Sequence, residues 1–473
     1  MAGVKIKDIL EMVDNSLEVK EGAVRVSNPT KFREKVQKLA EVSALESGER
    51  QKLARYLTRA AALDLGIIPA SIHDLYMARG RGEVPPVFTV PAINLRALSF
   101  DAARVIFRLA KDIDASAFIF EIARSEIGYT NQHPTEYTTS ILAAAIAEDY
   151  KGPVFIQGDH FQISAKRYGA NPDAEVQAVK DLIKESIAAG FFNIDVDTST
   201  MVDLSKSTVP EQQELNTGLS AELTAYIRNA EPKGITVSVG GEIGEVGGRN
   251  STEEELRAYI EGFRKALDKR GAGMTGLSKI SIQTGTSHGG VVLPDGSIAK
   301  VKVDFDTLHR LSQVARKDYG MGGAVQHGAS TLPEDAFGKF VEIETCEIHL
   351  ATNFMNMFFD RIPDSLREEM YSYLREKHSS EKKSDMTDEQ FYYKVRKNAV
   401  GPFKMQSWNV PPSVKEQIKK DWESQFRKLF DLLGMKGTRQ YVEKFIKPVV
   451  IQPNLKDYLG EAAGVENVSD LAD

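Results

Sequence analysis

VFIQGDH at residues 154–160, ISIQTGTSHGG at 280–290 and GAVQHGAS at 323–330 follow one pattern. Each is a short apolar, β-branched run that turns polar towards its C-terminal end and carries a histidine beside glycine or aspartate there: His160, His288 and His327. The chain has only 8 histidines, so three in matching contexts form a pattern rather than scatter. A neutral imidazole is a good zinc ligand, and a catalytic zinc centre needs three protein ligands and an open fourth position. Ligands that arrive one per strand, from far apart in sequence, meet only if the strands lie side by side in one sheet or barrel. The mouth of an α/β barrel, at the C-terminal ends of its strands, is where barrel enzymes carry out chemistry.

Outward from these three, five more runs of the same kind give eight in all: VFTVPAIN (87–94), AFIFEIA (117–123), NIDVDTS (193–199), ITVSVGGEIG (235–244) and CEIHLAT (346–352). They alternate with helical patterns such as FDAARVIFRLAKDI, DAEVQAVKDLIKESIAAG and VDFDTLHRLSQVARKDY, the signature of βαβ units and a parallel sheet. Apolar starts fit strands buried on both faces, and the polar C-terminal ends mark one face for function. The fold class is therefore α/β, a TIM (β/α)8 barrel over 85–360. Residues 1–84 read as a helical N-terminal extension, ended by the breaker RGRGEVPP, and 361–473 as a helical C-terminal extension.

The composition excludes several classes. Lys and Arg total 60 against 67 Asp and Glu, a formal charge of −7, which argues against a nucleic-acid or membrane-surface partner. The one cysteine, Cys346, rules out an internal disulfide framework and fits a reducing compartment. No apolar run is long enough for a signal peptide or a span, so the expectation is a cytoplasmic protein. The glycine-rich GGEIGEVGG lacks the spacing and the acidic partner of a dinucleotide site. His73, His133, His309 and His378 have no comparable context and receive no role.

PAIN (91–94), GDH (158–160), DVDTS (195–199), GEIGEVGG (241–248), GTSHGG (285–290), HGAS (327–330) and EIHLATN (347–353) match, in order and rough spacing, motifs of the class II (zinc-dependent) fructose-bisphosphate aldolase family, which includes tagatose-bisphosphate aldolases. The chain resembles that family over about 85–360. The resemblance implies an α/β barrel that reversibly cleaves a phosphorylated ketose, through a zinc-stabilised enediolate, into dihydroxyacetone phosphate and an aldehyde. It implies zinc, or another divalent metal that His and carboxylate ligands accept, on His160, His288 and His327. Glu242 either contacts the metal or supports it from behind. Asp159 matches the aspartate that handles the substrate hydroxyl or aldehyde proton. Neighbouring strand residues point to opposite faces, so a bend at 158–160 must let Asp159 and His160 both reach the mouth. Asp197 supports the site, and Asn94, at the end of the first strand, is a substrate-binding candidate. Gly289, Gly328 and Ser330 match phosphate-holding positions, where backbone amides form an anion nest. Homo-oligomers, dimers or higher, are common in the family, and Arg396 is a candidate for a basic residue that reaches a substrate phosphate from a neighbouring subunit.

The departures concern the substrate. The family's last strand reads roughly N-I-D-T-D, and its asparagine and first aspartate grip the dihydroxyacetone part. Here His349 and Ala351 stand there, followed by Thr352 and Asn353 as substrate-side candidates. His349 points into the mouth if the register holds. The family's loop glutamate, its general base, is absent from the expected place after GG; Glu253 and Glu245 are the replacements, although Ser251, Thr252 and the glutamates after them also read as a helix-capping box. On the second strand Glu121 precedes Ile122 and Ala123. Two alternatives follow. One is a catalytically weak zinc-binding partner subunit of another aldolase. The other is a related lyase acting on a different sugar or a sugar acid.

Overall fold

The computed structural model describes residues 2–20, 23–244, 249–286, 293, 303–330 and 332–460. Eight parallel strands close into a barrel: Val90–Asn94, Ile119–Ala123, Gly152–Gln162, Asn193–Asp197, Ser238–Glu242, Lys279–Ile282, Ala324–Gln326 and Glu347–Leu350. Each pairs with its neighbour in sequence, and the last pairs with the first through Glu347–Val90 to Leu350–Ile93. All eight overlap the runs read from the sequence, and the third, Gly152–Gln162, extends past its run at both ends. Helices cross between them, among them Ser99–Asp112, Pro134–Ala147, Pro172–Ala189, Val209–Ala230, Glu253–Asp268 and Phe305–Lys317. Crossovers of this kind are what parallel neighbours require.

The third barrel strand carries a bulge. Gly158 pairs with Ile194, and pairing resumes at Phe161 with Val196, so Asp159 and His160 together oppose Asp195 alone. The extra residue is accommodated at His160, whose φ is +40°, in the left-handed region. Strand alternation would otherwise send Asp159 and His160 to opposite faces; the bulge turns both inward, as the sequence reading required. A ring packs against the backbone here: a Cβ on Gly158 would lie 2.3 Å from Phe161.

The inward face departs from the apolar-start pattern. Lys279 and Glu347, each the first residue of its strand, are buried in the barrel with Gln157 and Asp195. Lys279 Nζ lies 2.9 Å from Asp195 Oδ1, donates to Gln157 Oε1 at 2.8 Å, and donates to Glu347. Tyr76, from the N-terminal segment, donates its hydroxyl to the other Glu347 oxygen. Barrel interiors are usually filled by branched aliphatic layers; this floor is a charged network with its partners supplied.

The N-terminal segment is not helical throughout. Leu17–Lys20 and Ala23–Val26 form an antiparallel hairpin, and Ile67–Ala70 adds a parallel strand beside the third barrel strand. At the other end Pro412–Leu432 lies against Ser99–Asp112 and Thr352–Arg361, with Trp422 donating to Phe354 O at 3.1 Å and Phe426 packed on Phe354 at 4.6 Å. No helix among the described residues is long and apolar enough to cross a membrane.

Candidate active site and metal centre

His160, His327 and His349 converge at the C-terminal mouth of the barrel. The ring centroids of His160 and His327 are 4.4 Å apart, and those of His327 and His349 4.0 Å. All three rings are buried, as are Asp159, Glu242 and Glu121 around them. Each arrives from a different strand end, so closure of the barrel is what makes the cluster.

The imidazoles are oriented from behind. His160 Nδ1 lies 3.0 Å from Asp197 Oδ2, which also accepts from Gln162 at 2.7 Å. His327 Nδ1 lies 2.7 Å from Ser281 Oγ. Such contacts fix the ring and its tautomer, and they are the usual support of a metal-ligating histidine. With Nδ1 so engaged, the Nε2 atoms look towards Asp159 Oδ1, at 3.8 Å from His160 and 3.5 Å from His327. Glu242 Oε1 sits on the opposite edge, 3.4 Å from His160 Nδ1 and 3.3 Å from His327 Nδ1. Asp159 Oδ1 and Glu242 Oε1 are buried without a hydrogen-bond partner. Buried polar atoms are ordinarily paired, so imidazoles flanked by such a carboxylate oxygen on either edge suit a divalent cation. The trios His160–Glu242–His327 and Asp159–His327–His349 both have ligand atoms close enough to share one.

The electrostatics agree. Burial works against charging His160, yet Asp159 and Glu242 outweigh it and raise its pKa well above normal. His327 goes the other way: burial, with His349 and His160 nearby, pushes it well below, so it stays neutral. Burial raises the Asp159 carboxyl, but His160 and His349 outweigh this and hold it well below the usual range. Glu121 is pushed up to about 8, chiefly by burial and then by Asp159.

The other expected site residues are placed as follows. Asn94 Nδ2 donates to Asp159 Oδ2 at 3.2 Å and to Glu126 Oε2 at 2.7 Å; Glu126 also binds Arg96 at 2.7 Å. His349 points inward, with Nε2 2.7 Å from Glu347 Oε1. Gly328 takes a φ of +69°, a conformation suited to a tight turn at the mouth. Ser330 Oγ accepts from the Ala351 amide at 2.6 Å and lines a cavity with Asn353, Phe354 and Asn356. Thr352 is buried at the start of Thr352–Arg361. Glu253 lies in the first turn of Glu253–Asp268 and pairs with Arg257 at 2.8 Å; the capping box there is Thr252 with Glu255. Arg396 is buried in the C-terminal helices, its guanidinium 4.4 Å from the Tyr393 ring and hydrogen-bonded to Asn356. The structure thus brings Asp159, His160, Asp197, Glu242, His327, His349 and Asn94 together, and it engages Glu253 and Arg396 with other partners. His288, Gly289 and Glu245 lie outside the described residues.

Sequence reasoning missed the supports: Ser281, Glu126, Arg96 and the floor group Gln157, Asp195, Lys279 and Glu347. A signal was present. Lys279-x-Ser281-x-Gln283, Glu347-x-His349, Gln157-x-Asp159 and Asp195-x-Asp197 alternate with period two, which is how one face of a strand reads.

A closed parallel (β/α)8 barrel with a histidine–carboxylate centre at its C-terminal mouth defines the class of protein. A model of the family "Fructose-bisphosphate aldolase class-II" matches residues 87–428, well over half of the chain. The chain belongs to the class II fructose-bisphosphate aldolase family. The match runs past 360, through most of the Pro412–Leu432 helix that packs on the barrel. Among solved structures, a probable tagatose 6 phosphate kinase from Sinorhizobium meliloti is 16% identical with a TM-score of 0.53, covering 75% of this chain and 98% of that one. A putative fructose-1,6-biphosphate aldolase from Coccidioides immitis is 18% identical with a TM-score of 0.47, covering 77% and 96%. The YdjI aldolase from Escherichia coli K12 is 13% identical with a TM-score of 0.47, covering 78% and 99%. At such identities the likeness concerns the fold alone.

Proposed function

We propose that the chain is a metal-dependent aldolase that reversibly cleaves a phosphorylated ketose to dihydroxyacetone phosphate and an aldehyde. The observation that supports this most is the convergence of His160, His327, Asp159 and Glu242, all buried, at the barrel mouth. His160 and His327 would hold the metal, zinc or another divalent ion, with His288 as the further ligand suggested by its motif. A cation held there supplies a Lewis acid for the ketone oxygen, which retro-aldol cleavage needs. Asp159 holds its charge beside the imidazoles and would take the hydroxyl proton as the carbon–carbon bond breaks, or, in the condensing direction, give a proton to the aldehyde oxygen. Asn94 fixes the second Asp159 oxygen and keeps the first turned to the centre. Ser330 and the turn at Gly328 would hold the substrate phosphate. Lys279 is not positioned for covalent chemistry: burial opposes its charge, but Asp195 and Glu347 outweigh burial and keep it an ammonium.

The test is retro-aldol cleavage of a panel of ketose mono- and bisphosphates, with and without chelator, together with metal content of the same sample. Chelator-sensitive release of dihydroxyacetone phosphate, lost in His160→Ala, is the expected result. Unchanged turnover in His160→Ala overturns the reading. The partner-subunit reading draws on Glu253, whose carboxylate is taken by Arg257. Bound metal with no cleavage by the isolated chain, and activity only with a second protein, would favour it.

A further inference from the structure

We propose that His349, through Nδ1, is itself a ligand of the metal in this centre; the inference rests on the metal-dependent reading above and assigns the last barrel strand a ligand. Three observations lead to it.

First, His349 has one occupied and one unoccupied nitrogen. Its Nε2 is 2.7 Å from Glu347 Oε1, and Glu347 is in turn fixed by Lys279, Tyr76 and Gln157. A ring anchored at one nitrogen by a carboxylate, itself pinned by a charge network, presents the other nitrogen in a fixed direction. This is the arrangement that supports histidine ligands in general.

Second, Nδ1 faces two carboxylate oxygens without a hydrogen bond of usable geometry to either. It lies 3.1 Å from Glu121 Oε1 and 3.2 Å from Asp159 Oδ1, and all three atoms are buried and unpartnered. Donors bound at about 2.1 Å to one tetrahedral ion stand about 3.4 Å from each other. These separations, with 3.5 Å from Asp159 Oδ1 to His327 Nε2, are in that range.

Third, His349 and His327 approach the same carboxylate oxygen, Asp159 Oδ1. Asp159, His327 and His349 form one of the trios able to share a cation, and Glu121, Glu347 and His349 form another.

The experiment uses full-length protein and zinc as the probe. Wild type, His349→Asn, His349→Gln and His160→Ala are titrated with zinc against a chromophoric competitor, then loaded with cobalt for visible absorption spectra. The expected result is zinc affinity at least about tenfold weaker in both His349 variants, as for loss of a ligand or its close support, with an altered cobalt spectrum. Wild-type affinity and spectrum in the His349 variants, with metal lost in His160→Ala, overturns this inference and leaves the metal-dependent reading standing. A wild-type protein that binds no divalent ion overturns both. Should the His349 variants fail to fold, zinc X-ray absorption of His288→Ala keeps the test: three coordinated imidazoles support His349 as a ligand, and two refute it.

Discussion

Replacing Lys279 by Met tests the charged floor of the barrel. The side chain is fully buried, and its ammonium joins Asp195, Glu347 and Gln157. Methionine nearly conserves the volume, so what is lost is charge and hydrogen bonds. Removing one partner of a buried ion pair costs about 3–5 kcal/mol. Here two carboxylates lose their cation at once, so the upper end is expected, out of a total stability of about 5–15 kcal/mol. The pH dependence has a definite sign. Burial has already raised Asp195 to about 6 with Lys279 in place. Burial also raises Glu347, but Lys279 outweighs it and holds that carboxyl low. Without Lys279 both rise above their unfolded values of about 4. Groups raised in this way contribute stability that is present below the unfolded pKa and lost as pH rises through the folded one. The deficit of the variant should therefore be small near about pH 4.5 and grow to its full size near about pH 8. Urea unfolding at several pH values reads this directly. Lys279→Met with Glu347→Gln should recover part of the loss, because one orphaned charge goes with the cation. A variant with the wild-type urea midpoint at neutral pH, or a deficit that shrinks as pH rises, would refute the reasoning.

Three more outcomes follow from the same structure. Gly158→Ala places a Cβ 2.3 Å from Phe161 and should cost about 1–3 kcal/mol by overpacking, with a larger loss of metal affinity because the bulge aims Asp159 and His160; unchanged metal binding in a destabilised variant would dissociate the bulge from the site. Thr252→Ala removes the cap of Glu253–Asp268 and should cost about 1 kcal/mol in urea unfolding with turnover intact. Glu253→Gln should keep turnover within about threefold, since the carboxylate is engaged by Arg257, whereas a loss above about a hundredfold would make Glu253 the general base.

The barrel was legible because each strand is a short apolar run with a polar C-terminal end. The need for a bend at 158–160 could be stated from strand alternation alone, and it appears as the bulge at His160. The charged floor was not read, because Lys279 and Glu347 stand among apolar neighbours, and only pairing across the barrel shows that they meet. The hairpin at 17–26 has strands of only four residues each, and the equally short strand Ile67–Ala70 has its partner about 85 residues away, outside the local window. The same holds for the C-terminal helices: the pattern of Pro412–Leu432 shows an apolar face, but not that Trp422 and Phe426 meet Phe354. His349 was readable as inward-facing, yet its Nε2 anchor, Glu347, is two residues earlier on the same face and went unweighed.

The charge inside the barrel leads to a last prediction. Glu121, Asp159, Asp195, Asp197, Glu242 and Glu347 are all buried there, while Lys279 is the one buried ammonium among them in the described residues. Excess negative charge in a low-dielectric interior is unstable and must be met by protons or by a cation. Without metal, protons meet it. Burial opposes charge on His160 and on His349, but Asp159 and Glu242 outweigh it at the first, and Glu121 and Asp159 at the second, raising both rings well above normal. A metal ligand must be deprotonated, so a dication can enter only as these protons leave. Zinc uptake near neutral pH should release protons, and affinity should fall as pH is lowered. A pH-indicator titration in weak buffer measures the release. Uptake without protons would mean that the imidazoles are neutral beforehand, and that the carboxylates are balanced in some other way.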